Sequence, residues 1–215
     1  MKVTFLTHSS YGEAGGINKY VNQLVKCISK NTKTKEINIF AKINAKIISR
    51  KTYTFISKNY LLLKIFLNFK RIISSDIIII THLNLIPYLF IFLFLKKKIV
   101  LFTYGLEVWG ANKNFIYKFL IHKINFFVCM REFTKKKLIE RYNLKNKYIY
   151  SLHNFIDDFK KFKKVKKQNI ILTIARLDGN EKFKGIDETL ESISLIKEKK
   201  FIYYILGDGD DKNRL

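Results

Sequence analysis

Cysteine is nearly absent from this chain, which holds only Cys27 and Cys129 among 215 residues. Both stand in apolar surroundings, too few and too far apart for a disulfide framework or a zinc site. A reducing cytoplasm is therefore the expected compartment. The first residues, "MKVTFLTHSS", carry one charge and a short strand-like run, without the length or small-residue cleavage site of a signal peptide. Long hydrophobic runs are missing too. In "LNLIPYLFIFLFLKKK" the apolar core from Leu85 to Leu95 is about eleven residues, against roughly 20 needed to span a bilayer. It reads as a buried helix over about 84–95, with Pro87 in its first turn.

Acidic residues are scarce. Seventeen Asp and Glu face 41 Lys and Arg, a net charge of +24. The excess is uneven: residues 1–157 carry 27 basic against 7 acidic side chains, a net of +20, and 158–215 carry 14 against 10, a net of +4. So basic a segment is drawn to polyanions, whether phospholipid surfaces or nucleic acid. Compositional drift explains the charge as well, because Ile, Lys, Asn, Phe and Tyr crowd the whole sequence. No recognised nucleic-acid motif is present, so nucleic acid is not an expected partner. An anionic membrane surface stays a candidate one.

What the chain does have is apolar residues, 48% of the total, enough for a sizeable core. Strand-like and helical patterns alternate, which predicts a mostly parallel sheet flanked by helices. "KVTFLT" (2–7), "EINIFA" (36–41), "DIIIIT" (76–81), "KIVLFT" (98–103) and "INFFVC" (124–129) read as strands, the last three buried on both faces. Helices are expected over 17–30 and about 58–74, 84–95, 112–122 and 132–142. The segment 60–73, "YLLLKIFLNFKRII", reads either as a basic amphipathic helix on an anionic membrane or as a core helix with a solvated face. The charge run "KKFKKVKKQ" (160–168) marks a linker at about 155–169, between a first domain, 1–157, and a second segment, 158–215. That segment holds strand 170–175, helix 185–199 and strand 201–207. One such unit leaves sheet edges and a helix face uncovered.

Three loops follow strands, where open α/β sheets place their ligands. Arg176 and Lys184 bracket the loop before a helix opening at Gly185, and two cations beside a helix N-terminus suit a diphosphate. A surface salt bridge would explain the same residues. Gly15 and Gly16 precede the first helix and would let backbone approach an anion, or simply form a turn. In "LFTYGLEVWG" (101–110), Tyr104, Glu107 and Trp109 follow a buried strand. Glu107 could bond sugar hydroxyls and Trp109 stack on a ring; alternatively Trp109 packs in the core and Glu107 caps a turn.

Together these stretches resemble the retaining GT-B glycosyltransferases of family 4 (glycosyl transferases group 1). "GGINKY" is similar to the family's Gly-Gly loop and helix, "LFTYGLEVWG" to its H-G-x-E-x-W stretch. "REFTKKKLIERYNL" with "LHNFID" resembles its S-E-x-T-K-x-x-L helix and inter-domain linker. "IARLDGNEKFKGID" resembles its G-R-L…K-G-x-D phosphate loop, and "YYILGDGDDKNRL" its V-G-D-G strand and turn. The resemblance runs in order along all 215 residues. It implies an α/β GT-B protein: a Rossmann-like N-terminal acceptor-side domain, then the incomplete start of a Rossmann-like donor-binding domain.

The implied reaction moves a sugar from a nucleotide-diphosphate sugar to a hydroxyl of a saccharide or lipid-linked acceptor, with retention. The setting is bacterial surface polysaccharide or lipopolysaccharide synthesis, at the cytoplasmic face of a membrane. It needs no cofactor beyond the nucleotide sugar as co-substrate, and no metal. Arg176, Lys184 and Gly185, with Gly15 and Gly16, then match the donor-diphosphate residues, and Tyr104 and Glu107 the catalytic ones. Tyr104 stands where many members have histidine, Arg131 replaces a capping Ser, Phe155 a Gly and Asp210 a Pro. The family's E-x7-E motif falls further along than Leu215, so the chain looks truncated and is expected to be inactive alone. A non-catalytic remnant, or half of a split enzyme that binds acceptor or membrane, is the competing expectation.

Overall fold

The computed structural model describes residues 1–9, 15–45, 50–92, 95–110, 115–154, 166–197 and 200–215. Most of the expected linker (155–165 of 155–169) lies outside them, as do 10–14 of the first glycine loop. The same holds for parts of the helices expected over 84–95, 112–122 and 185–199. The chain packs as two compact units, Met1–Asp157 and Asp158–Leu215.

In the first unit β1 (Lys2–Thr7), β2 (Glu36–Ala41), β3 (Thr52–Ile56), β4 (Ile77–Ile80), β5 (Lys98–Thr103), β6 (Phe126–Cys129) and β7 (Tyr148–Ser151) form one sheet in the order β3-β2-β1-β4-β5-β6-β7. Every pairing is parallel. Strand alternation sorts the apolar side chains into two cores. Phe5, Ile37, Ile39, Ile79 and Phe102 point to one face, covered by Tyr20, Val21 and Val25 of α1 (Gly16–Lys30). Leu6, Phe40, Ile78, Ile80, Leu101 and Phe127 point to the other. That face is covered by α2 (Leu61–Leu67), α3 (Phe69–Ile73), a 3-10 helix (Leu83–Phe92), α4 (Leu106–Trp109), α5 (Phe115–Ile121) and α6 (Glu132–Tyr142).

Several elements differ from the sequence expectation. β3 and β7 occupy the two sheet edges and have no continuous apolar run, because only one neighbour and little cover bury them. The helix expected with Pro87 in its first turn is a 3-10 helix with Pro87 in its interior. Proline has no N–H to give Leu83, so an α-helical bond cannot form at that point. The helix expected over 58–74 is split into α2 and α3 at Asn68, whose side-chain amide donates back to the Lys64 carbonyl.

The second unit has β8 (Ile170–Ile174) and β9 (Ile202–Leu206) paired in parallel, joined through a 3-10 turn (Lys182–Lys184) and α7 (Ile186–Ser194). Leu172, Ile174, Ile202 and Leu206 are all more than half exposed, so this small sheet keeps apolar surface uncovered. Ala175 donates to Leu206 O at 3.1 Å and Leu177 to Asp208 O at 3.0 Å. Those bonds press the Gly207–Gly209 turn onto the loop carrying Arg176.

Candidate functional site

The order in which strands are added reverses between β1 and β4, since β2 and β3 spread one way and β5 to β7 the other. Loops leaving β1 and β4 therefore part, opening a crevice at the carboxyl ends of those strands. A cavity of about 770 Å³ lies there, lined by Gly16 at the start of α1, His82 and Asn84 after β4, Tyr104 and Glu107 after β5, and Arg131 after β6.

Tyr104 is its most unusual wall. The ring stands edge-on to Tyr20, centroids 6.0 Å apart, and lies nearly parallel to His82 at 6.4 Å. Its Oη is buried and has no hydrogen-bond partner among the described residues. Burial, with lesser repulsion from Tyr20 and Glu107, pushes the phenol far above its ordinary pKa. Tyr104 thus stays protonated, a hydrogen-bond donor and not a base. Glu107 sits beneath it. Its carboxylate accepts the backbone N–H of Tyr104 and, at 3.0 Å, that of Gly105, satisfying donors at the start of α4. Trp109 donates from Nε1 to Thr134 Oγ1 at 3.3 Å and meets Phe133 edge-on at 5.4 Å. One edge of the indole is thereby held by α6, while the residue also lines the cavity.

His82 was not singled out in the sequence, and neither was His8. They follow β4 and β1, and the strand order brings their rings to 5.3 Å, edge to face. The Asn84 N–H donates to His82 Nδ1 at 3.1 Å, so the ring proton of a neutral His82 sits on Nε2. Burial, then His82, then Lys42 lowers the His8 pKa to about 4. The sequence signal was a histidine directly after each of two buried strands. Gly15 caps α1 with φ +135°, a backbone that favours glycine, and Gly16 reaches the cavity wall.

The remaining candidates belong to the second unit. The Arg176 guanidinium is gripped by Glu181, with Nε 3.3 Å from Oε2 and a second, closer bond from Nη2 to Oε1. Lys184 Nζ lies 4.0 Å from the same carboxylate. Gly185, at φ +71°, ends the 3-10 turn and starts α7, whose first turn holds Asp187 and Glu188. Arg214 bridges Asp187 and Asp211 and holds the Asp211 carboxyl below its ordinary pKa. Only about 10 Å³ of space remains among these groups, room for one water at most. The two cations are therefore together beside a helix start, yet engaged by an acid that the sequence reading did not name.

The fold is of the α/β, Rossmann-like GT-B type. Among solved structures, the apo form of the lipopolysaccharide outer core galactosyltransferase WaaB is similar, with a TM-score of 0.66 and 16% sequence identity. The match covers 100% of this chain and 63% of that one, so the chain spans under two thirds of the length of that structure. No family model matches the chain, and no curated protein matches it by sequence.

Proposed function

We propose that the chain is the acceptor-side domain and the beginning of the donor-side domain of a retaining family 4 glycosyltransferase. It moves a hexose-type sugar from a nucleotide-diphosphate sugar to a saccharide or lipid-linked acceptor in bacterial surface polysaccharide or lipopolysaccharide synthesis, on the cytoplasmic side of the membrane. The observation that carries this reading is Tyr104 itself, a wall residue of a polar crevice at the switch point of a GT-B-type sheet, with a buried hydroxyl that has no partner among the described residues. The likeness to a galactosyltransferase supports it at the level of the fold.

In this reading Tyr104 donates to an oxygen of the substrate, and Glu107 is a positioning residue that fixes the Tyr104–Gly105 backbone. Arg176 and Lys184 bind the donor diphosphate and neutralise charge that builds up on it as the glycosidic bond breaks. They must first exchange Glu181 for phosphate oxygens. Turnover requires the family's E-x7-E glutamates as well, which hold the donor sugar and ribose. The test is transfer by the protein isolated from its native cell, with a panel of nucleotide-diphosphate sugars and membrane-extracted acceptor. Product is followed by mass spectrometry and its anomeric configuration by NMR. Absence of sugar transfer from every donor would sink the enzyme reading, and an inverted product the retaining mechanism.

A further inference from the structure

One face of the first unit carries a second cavity of about 770 Å³ whose ten lining residues are all apolar. α2 supplies Leu63 and Phe66, the 3-10 helix Phe90 and Ile91, and α5 Phe115 and Phe119. These are not core residues glimpsed through a gap: Phe66 is 70% exposed, Phe90 62% and Phe115 79%. A contiguous apolar surface of this kind is unusual on a protein that meets only water. Lys64 on α2 and Lys118 on α5 are exposed on two of the helices that line it, and Lys123 lies over the Phe119 ring at 5.3 Å.

We propose that this groove docks on an anionic lipid bilayer, with Phe66, Phe90 and Phe115 entering the interface and the lysines of the lining helices, with Lys123, on the headgroups. Charge complementarity selects that occupant. The segment 1–157 carries a net +20, and an apolar groove on so basic a unit, with Lys123 over one of its rings, matches the layered interface of an acidic membrane, apolar below and negative above. Lysine stems lie along apolar surface while the ammonium stays at headgroup level. Among the described residues no helix is long and apolar enough to cross a membrane, so the contact is one of lying on the surface.

The groove also adjoins the polar crevice. The 3-10 helix that offers Phe90 begins beside Asn84 in the crevice wall, six residues and about 12 Å earlier. A bilayer seated on the groove holds the crevice close to the headgroup layer, where a lipid-borne hydroxyl would arrive. The docking itself does not depend on the glycosyltransferase reading, because it is measured without donor or acceptor.

The experiment is co-sedimentation of the full chain with vesicles of pure phosphatidylcholine and of phosphatidylcholine mixed with phosphatidylglycerol. Three proteins are compared: wild type, the triple variant Phe66→Ser/Phe90→Ser/Phe115→Ser, and the double variant Lys64→Glu/Lys118→Glu. Light scattering gives the mass of each, and circular dichroism checks folding, which substitutions at such exposed positions should leave intact. Wild type is expected to bind mixed vesicles about tenfold or more tightly than neutral ones, and added salt should weaken it. The triple variant should lose about tenfold or more in affinity. The lysine variant should lose the preference for the anionic lipid. Equal binding by wild type and the triple variant overturns the proposal. So does a wild-type dimer that the triple variant converts to monomer, which would make a second copy the occupant. Absence of any vesicle binding by wild type overturns it too, leaving the groove to some other covering segment.

Discussion

Arg176 and Lys184 are held side by side by one acid, Glu181, which is itself largely shielded from water. The pair that would hold a diphosphate is thus kept together and partly neutralised in its absence. A phosphate must compete with this carboxylate, and an exposed ion pair is worth about 0.2–1 kcal/mol.

Removing the competitor should therefore help. Glu181→Gln keeps the shape and removes the charge, and the affinity for inorganic pyrophosphate or a nucleoside diphosphate should rise about two- to fivefold. Arg176→Ala should lower it. Isothermal titration reads both. Weaker binding by Glu181→Gln would mean that Glu181 organises the loop rather than opposing the ligand.

Tyr104 gives a prediction with two opposed signs. Its hydroxyl is buried without a partner among the described residues, and leaving a polar group so placed costs about 1–3 kcal/mol. Tyr104→Phe keeps the packing on Tyr20 and His82 and removes that cost, so thermal stability should hold or rise. Transfer by the native-cell enzyme should fall by about tenfold or more, the loss of one hydrogen bond to substrate. A destabilised variant with full activity would contradict both halves.

Glu107→Ala tests the positioning role. Two backbone donors lose their acceptor, which should cost about 1 kcal/mol, as loss of a helix cap does. The loosened turn also carries Trp109, the chain's single tryptophan, so its fluorescence should shift. If stability and emission are both unchanged while substrate affinity drops, Glu107 touches substrate directly.

How much of this was legible in the sequence follows from burial. The central strands announced themselves because both faces are covered: β4, β5 and β6 as unbroken apolar runs, β1 and β2 as apolar runs interrupted by Thr4 and Asn38, which are themselves buried. β3 and β7 did not, since edge strands such as "TYTFI" and "YIYS" mix exposed Tyr with partly covered Ile and Phe. The crevice shows the same division. Tyr104, Glu107 and Gly16 could be named from loops that follow strands or open helices. His82 joins them only because β4 pairs with β1 rather than β3, a matter of strand order that local pattern does not carry. Glu181 was hidden for a similar reason, as a five-residue separation in a loop has no fixed geometry until the loop folds.

His8 makes stability depend on pH. Its pKa is about 4 in the folded unit against 6.5 when free, so between those values the unfolded chain binds more protons. The stabilisation is complete above about pH 6.5 and declines as the pH falls toward 4. Thermal melts across pH 4–7 should show this slope, and His8→Asn should flatten it. A slope unchanged in the variant would assign the pH dependence to other groups.

Gly207 and Gly209 make the sharpest demand on the second unit. A Cβ at either position would collide with a backbone carbonyl, that of Ala175 for Gly207 and that of Leu177 for Gly209. These carbonyls flank Arg176 and cannot swing aside as a flexible side chain would, because Ala175 and Leu177 are hydrogen-bonded to the strand and turn that carry the glycines. Gly207→Ala must push β9 away from the loop, a strain of about 1–3 kcal/mol in a unit whose described residues form two strands and one main helix to resist it. The expected result is selective loosening: limited proteolysis should cut within 166–215 first, while the Trp109 signal of the first unit holds. Diphosphate affinity should fall in parallel, although no side chain at the anion site has been altered. Cleavage no faster than in wild type would show that the turn can shift as a body, and the close approach would then not be what fixes Arg176 in place.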